Sequence, residues 1–236
     1  MKITLNKNPK IQGLLTKDLL QLKNYKRTLI SFIVIFSVVS ILQSLSGGGT
    51  NLFSMLPVMI TIGFGMFSIA SFNYDEAAKA DRYIRSLPVS IKEIILSKYI
   101  FTIWSTVIGA LIGISLSSIL FGIFVFREEP FTTNILEILS VTLGGILGIS
   151  IVEAIQIPCI YKFGAEKARM QIFLIMVVLI VIASLLIGGV LYWLEKLYID
   201  IYKLQFLIPF VFLGLTVLVY NISYKIAYKI YEKKEF

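Results

Sequence analysis

The feature that most limits how this chain folds is a series of long apolar runs, separated by short segments that hold most of its charges. A helix needs about 20 mainly apolar residues to cross the hydrocarbon core of a bilayer. Six runs approach or exceed that length: Thr28–Leu45, Leu52–Ser71, Ile100–Phe126, Ile135–Ile160, Met170–Leu194 and Leu204–Tyr224. The sequence therefore predicts an all-α, polytopic membrane protein with six transmembrane helices in a single domain over residues 1–236.

Composition supports this class and argues against others. Hydrophobic residues make up 57% of the chain and charged residues 15%, whereas soluble domains are roughly 45–50% apolar. The chain has no histidine and one cysteine, Cys159, which argues against histidine-dependent zinc sites, Ser-His-Asp triads and an intrachain disulfide. It also lacks a GxxxxGK[ST] phosphate loop. We expect no enzyme activity, cofactor or metal in this chain itself.

The distribution of Lys and Arg predicts the orientation in the membrane. Nineteen of the 22 lie in residues 1–27, 72–99, 161–169 and the tail, and three lie on the other side, at Arg127, Lys196 and Lys203. Cytoplasmic loops carry such an excess. Both termini are therefore expected in the cytoplasm, and the net charge of +8 is assigned to membrane orientation rather than to nucleic-acid binding.

The longest charged interval, residues 72–99, is expected to form an ordered cytoplasmic arm. Pro88 divides it, because proline removes a backbone donor and restrains the preceding residue. After the proline, Ser90 and Glu93 form a capping-box pattern. The sequence predicts a helix, a sharp turn and a second helix that continues into the third span. The simpler alternative is a solvated connector.

Residues 1–27 are expected to form a helix lying in the cytoplasmic interface. Asn8 and Pro9 suit a cap and first helical residue. An apolar face follows at Ile11, Leu15, Leu19 and Leu22, while Lys10, Lys17 and Asp18 avoid that face. Such a helix would place its apolar side at the lipid boundary.

Glu153 is the unusual residue of the fourth span. A charged side chain at a helix centre costs about 2.5–3.5 kcal/mol on insertion scales, so a compensating environment is required. Glu153 either faces a translocation path or dimer seam, with Gln156 one turn later, or it is neutral and hydrogen-bonded within the bundle. The sequence leaves both interpretations open.

Two stretches resemble ABC-2 type permeases, the membrane subunits of bacterial ATP-driven exporters. The first runs from Tyr74 to Tyr99 and contains YDE, DRY, SLPVS and SKY in order; the second is PCIYKFGAEKAR, Pro158–Arg169. The resemblance extends over essentially the whole chain and is strongest to small permeases that export amphipathic peptides such as phenol-soluble modulins. Bacteriocin-immunity and drug exporters share the pattern.

The resemblance implies a mechanism. Tyr74–Val89 would be the main coupling helix, Phe163–Lys167 the minor one, and the amino-terminal helix the connecting helix. A separate ABC ATP-binding subunit would bind ATP and dock on these elements, and a second permease, identical or different, would complete the path for an amphipathic peptide or other hydrophobic compound in the cell membrane. The implied coupling residues are Tyr74, Asp75, Glu76, Arg82, Tyr83, Leu87, Pro88, Val89, Phe163, Gly164, Glu166 and Lys167.

Two other classes remain as alternatives. A self-contained secondary transporter or channel normally shows more ionisable residues within its spans or matching broken helices, whereas Glu153 stands alone in the pattern. A membrane-embedded hydrolase would need a nucleophile with its base, or a metal cluster. The sequence favours the exporter permease.

Overall fold

The computed structural model describes residues 9–23, 25–45, 52–125, 135–168, 170–171, 175 and 208–233. Within these ranges the chain is helical and contains no β-strand. The helices are α1 Pro9–Lys23, α2 Lys26–Leu45, α3 Leu52–Ala77, α4 Ala80–Ser86, α5 Ile91–Val125, α6 Ile135–Phe163 and α7 Ile208–Lys233. Apart from residues 170, 171 and 175, the fifth predicted span falls outside the described residues, as does the outer segment around Lys196 and Lys203.

Three described helices are long and apolar enough to cross a bilayer: Met55–Ala77, Ile91–Ile123 and Ile138–Phe163. A fourth is added if α1 and α2, which meet at a bend of 64°, count as one broken span. The protein is thus an all-helical, multi-pass membrane protein, and the number of six spans stays a prediction. Helix α7 contains most of the predicted sixth span and continues through the basic tail to Lys233.

The described helices divide into two compact units at the peptide between Glu153 and Ala154, inside α6. In the first unit, α3 packs most extensively on α5 and also contacts α2 and α1. Close approach requires glycine where a side chain would collide. A Cβ at Gly113 of α5 would lie 2.7 Å from Cα of Pro57, and one at Gly63 of α3 would collide with the ring of Phe32 in α2. Glycine at these two positions therefore allows the helices to pack closely.

The second unit joins the last turns of α6 to α7. The Ser223 hydroxyl donates a hydrogen bond to the Ala154 carbonyl. The rings of Tyr161 and Tyr231 meet edge to face with their centroids 5.1 Å apart, and Ala227 between these contacts is fully buried. Tyr231 of the basic tail therefore helps to hold α7 against α6.

Candidate functional site

The arm has the order predicted from the sequence, with one difference at its start. Helix α3 does not end with the apolar run at Ser71 but continues through Tyr74 to Ala77. The chain then turns at Lys79, whose φ of 49° lies in the left-handed region, and α4 begins at Ala80. The predicted coupling helix Tyr74–Val89 is therefore two helical pieces set at a break. No glycine or proline marks that break in the sequence.

The second half of the arm is confirmed in detail. Helix α4 ends before Pro88, and α5 starts at Ile91 and continues without a break for 35 residues. The Ser90 amide donates to Glu93 Oε2 at 2.8 Å, and the Glu93 amide donates to Ser90 Oγ at 3.3 Å. This reciprocal pair is a capping box, which satisfies two of the amides left free at a helix start.

Four charged side chains meet where α1, α3 and α5 come together, and we call them the ion cluster: Lys17, Asp18, Asp75 and Lys98. Lys98 Nζ lies 2.8 Å from Asp18 Oδ1 and 2.7 Å from Asp75 Oδ2. Lys17 Nζ lies 2.8 Å from Asp75 Oδ1 and 3.3 Å from Asp18 Oδ1. Each lysine therefore contacts both carboxylates, and the two positive charges balance the two negative ones.

Uncharged groups complete the surroundings of the ion cluster. Gln21 Nε2 of α1 donates to Asp75 Oδ1 at 2.9 Å, and Lys98 Nζ donates to Ser71 Oγ at 3.1 Å. Lys98 also lies 4.7 Å from the ring centroid of Phe72, within cation–π range. Only 1% of Asp18, 6% of Asp75 and 5% of Lys98 is exposed. Charges so deeply buried persist only when they are paired.

Two predicted residues have surroundings that the sequence pattern did not suggest. Asp75 was predicted as a coupling residue, and its carboxylate is enclosed by α1 and α5 and almost fully buried; its role in coupling stays a prediction. Asp18 was expected to avoid the apolar face of the first helix that includes Ile11. That placement is wrong, because the buried positions of α1 are Ile11, Leu14 and Asp18.

Other predicted coupling residues do lie on the surface. Tyr83 is 69% exposed, and Glu76 and Pro88 are exposed, whereas Leu87 and Val89 are half-buried. Tyr74 is half-buried, and its ring meets that of Tyr25 with centroids 5.4 Å apart. Arg82 belongs to α4, but its side chain lies outside the described part of the chain. The buried anchor of α4 is Ile84, at 4% exposure.

The second predicted coupling element follows α6. Gly164 ends that helix with a φ of 85°, and its amide donates to the Ile160 carbonyl at 2.9 Å. Glycine suits this position because side chains strain a left-handed backbone. The chain is helical again over residues 165–168, where Glu166 and Lys167 are exposed, and Phe163 is 38% exposed. The turn thus presents an aromatic ring and both signs of charge on its surface.

Glu153 lies inside the helices of the first unit. It is fully buried, and Thr106 Oγ1 of α5 lies 3.0 Å from its Oε1. On α3, a Cβ at Gly65 would lie 2.8 Å from the same oxygen. The carboxyl group is thus held between three helices of one chain, as expected for a side chain hydrogen-bonded within the bundle. Its role in a translocation path or dimer seam stays a prediction.

Gln156, one turn further along α6, belongs to the second unit. The residue is half-buried, and its buried Oε1 has no hydrogen-bond partner among the described residues. Among those residues there is also no group of three Asp, Glu or Cys side chains placed to hold a metal ion.

The ion cluster was not predicted from the sequence. Lys17 was noted only as avoiding the apolar face of the first helix and Lys98 only as part of the SKY motif. Gln21, which donates to Asp75, was not considered. A signal was present in α1: Ile11, Leu14, Asp18 and Gln21 follow each other at i, i+3, i+7 and i+10, the spacing of one helix face. Polar residues that continue an apolar face indicate a buried polar contact when opposite charges lie elsewhere in the chain.

The fold and the arm define the class of this protein: a helical, multi-pass membrane protein with an ordered helical arm between two of its spans. A comparison with protein families makes the assignment specific. The family model described as "ABC-2 family transporter protein" matches residues 13–232, so the chain belongs to the ABC-2 transporter family and is a membrane component of a transport system. No curated protein sequence matches the chain.

Proposed function

We propose that the chain is the permease subunit of an ATP-driven exporter in the cell membrane, powered by a separate ABC ATP-binding subunit. The arm at residues 72–99 and the turn at residues 161–169 are its docking elements, and both termini are cytoplasmic. ATP binds to the partner subunit, so this chain needs no cofactor of its own. Membership of the ABC-2 family supports the assignment.

The observation that carries this proposal is an exposed tyrosine on an anchored helix. Tyr83 is 69% exposed, while the next residue, Ile84, is 4% exposed and holds α4 against the protein. Aromatic side chains are over-represented among residues that dominate protein interfaces. Because only Leu87, Pro88 and Val89 separate α4 from the capping box at the start of α5, a force applied at Tyr83 would pass into a membrane-spanning helix.

The remaining parts of the assembly follow from the family rather than from contacts within this chain. A second permease, either a second copy or a related chain, is proposed to complete the translocation path, with lipids around both. The exported compound is proposed to be an amphipathic peptide or another hydrophobic compound. The sequence resemblance to peptide-exporting permeases supports this choice.

Association with the ATP-binding subunit tests the proposal. The chain is co-expressed with candidate ABC ATP-binding proteins from the same genome, any complex is purified, and bound ATPase and ATP hydrolysis are measured. We expect Tyr83→Ala to weaken association by about thirtyfold, because truncating an aromatic residue that dominates an interface costs about 2 kcal/mol or more. Tyr228→Ala is the matched control, since Tyr228 lies on α7 near the chain end. It should associate normally.

Transport distinguishes the proposal from a self-contained secondary transporter or channel. Proteoliposomes containing the complex are loaded with a labelled amphipathic peptide or a hydrophobic dye, and movement is followed with and without ATP. Export that requires ATP supports the proposal. Movement by the purified chain alone without ATP, together with normal association of the Tyr83→Ala variant, would instead favour the alternative class.

A further inference from the structure

The ion cluster joins the amino-terminal helix to the coupling arm. We infer that Lys17, Asp18, Asp75 and Lys98 are positioning residues that make α1 move together with the arm, so that displacement of the arm reaches α2 as well as α5. The inference rests on the proposed function in one respect, namely that ATP hydrolysis displaces the arm. No member of the ion cluster touches a transported compound in this scheme.

The connection between the three helices is made by the charged groups themselves. Lys17 and Asp18 belong to α1, Asp75 to the end of α3 and Lys98 to the second turn of α5. The contacts within the cluster range from 2.7 to 3.3 Å. Because each lysine bridges both carboxylates, sliding α1 along α3 or α5 would stretch several charge-assisted contacts at once.

Stability alone is a poor explanation for this arrangement. Replacing a buried ion pair by well-packed apolar residues is often neutral or stabilising, because desolvation offsets the Coulombic attraction. Paired charges make contacts with a preferred geometry, and these contacts fix the relative position of the helices that carry them. An apolar seam at the same place would hold α1 but allow it to slip.

A short connection links α1 to α2, so that a displacement of α1 would also displace α2. The Tyr25 amide donates to the Leu22 carbonyl at 2.9 Å, and the Leu29 amide donates to the Tyr25 carbonyl at 2.9 Å. The Tyr25 ring lies 5.4 Å from that of Tyr74 and 5.9 Å from that of Phe67, centroid to centroid. Tyr25, which lies between α1 and α2, is thus itself packed on the end of α3 that bears Asp75.

Because the ion cluster is electrically neutral, variants can be chosen that remove contacts between α1 and the arm without leaving an unpaired buried charge. Asp18→Asn leaves the cluster with one excess positive charge, and Lys17→Gln leaves it with one excess negative charge. The double variant restores neutrality, because Asp75 and Lys98 remain as a pair at 2.7 Å. We expect both single variants to unfold at lower temperature than the wild type, and the double variant to recover most of that loss while lacking the ionic links from α1 to α3 and α5.

The first measurement needs no ATP-binding subunit. In a Cys159→Ser background, spin labels are attached at Leu20→Cys on α1 and Lys92→Cys on α5, both of which are exposed. The distance between the labels is measured by electron paramagnetic resonance. We expect a narrow distribution with wild-type charges and a broadened or shifted one in the double variant. An unchanged distribution in a folded double variant would overturn the inference.

The second measurement uses the complete complex in proteoliposomes. We expect the double variant to bind the ATP-binding subunit and hydrolyse ATP normally but to transport less per ATP, by about fivefold or more, the lower end of usual coupling between sites. Glu232→Gln, an exposed carboxylate on α7, is the control. Normal transport per ATP in the double variant would contradict the inference. Failure of the wild-type chain to bind any ATP-binding subunit would reject the proposed function, while the spin-label result would still decide the inference.

Discussion

Neighbouring residues of the arm have opposite environments that the sequence pattern does not separate. Asp75 and Glu76 are adjacent acids in a charged interval, yet Asp75 is enclosed by two lysines and Glu76 is exposed. The cause is the unpredicted continuation of α3 to Ala77, which turns Asp75 towards α1 and α5. The local sequence shows that both residues are acidic. The burial of Asp75, in contrast, depends on contacts with Lys17 and Lys98, which are distant in sequence.

Glu153→Gln should leave folding nearly unchanged. Glutamine has the same shape and keeps an oxygen that can accept from Thr106, so the change in unfolding free energy should stay within about 1 kcal/mol, the scale of one hydrogen bond. Thermal unfolding in detergent measures this. Glu153→Lys, which places a longer cation beside Gly65, serves as the disruptive comparison.

The same variant tests the proposed role in the path. If Glu153→Gln folds normally and exports normally, the charge of Glu153 is not needed for translocation. A loss of export with intact stability would support a role for the Glu153 charge in the translocation path. A loss of several kcal/mol in stability would show that the ionised carboxylate itself is required in the bundle.

Gly65→Ala should destabilise the protein, whereas Gly148→Ala should not. Its Cβ would lie 2.5 Å from Ile149 Cγ1 and 2.8 Å from Glu153 Oε1, so α3 and α6 must separate. Overpacking of this kind typically costs about 1–3 kcal/mol. The matched control is Gly148→Ala on α6, whose Cβ would meet nothing within 4 Å. That substitution should be neutral or stabilising by about 0.5–1 kcal/mol.

At the scale of helices, boundaries with strong local chemistry were predictable. Pro88 with the Ser90 and Glu93 capping pair predicted the start of α5, and the proline at position 9 predicted the start of α1. The break at Lys79 was not predictable, because a lysine in the left-handed region has no sequence signature. The buried residues Asp75 and Ile84 lie on either side of it. Apolar run lengths similarly underestimated α3 and α7, whose polar ends remain helical.

Ser90→Ala should loosen the start of α5. Loss of a serine cap costs about 0.5–2 kcal/mol, and here it removes the hydroxyl that accepts the Glu93 amide. Hydrogen exchange at residues 91–94 should therefore become faster. Ser115→Ala is the control, because that exposed serine only donates to the Leu111 carbonyl within the same helix. Equal exchange in both variants would exclude a capping role.

For the whole molecule, the charge distribution makes a prediction about sidedness. With nineteen of 22 Lys and Arg in four segments, Tyr83 and Lys167 should face the cytoplasm and Lys196 the outside. Single cysteines at these positions in a Cys159→Ser background are treated with a membrane-impermeant maleimide. Only the cysteine at position 196 should react in intact cells, and the other two only after permeabilisation. Reaction at position 83 or 167 in intact cells would contradict the proposed docking surface.

The uninterrupted length of α5 has a geometric consequence for the proposed exporter. Its 35 residues span about 52 Å at 1.5 Å per residue, compared with a hydrocarbon core of about 30 Å. In the proposed exporter, α5 would tilt as one body about a point within the bilayer. A tilt of about 10° around its midpoint carries each end through roughly 4–5 Å, so a modest pull at Ile91 is delivered at the opposite face as an equal and opposite swing.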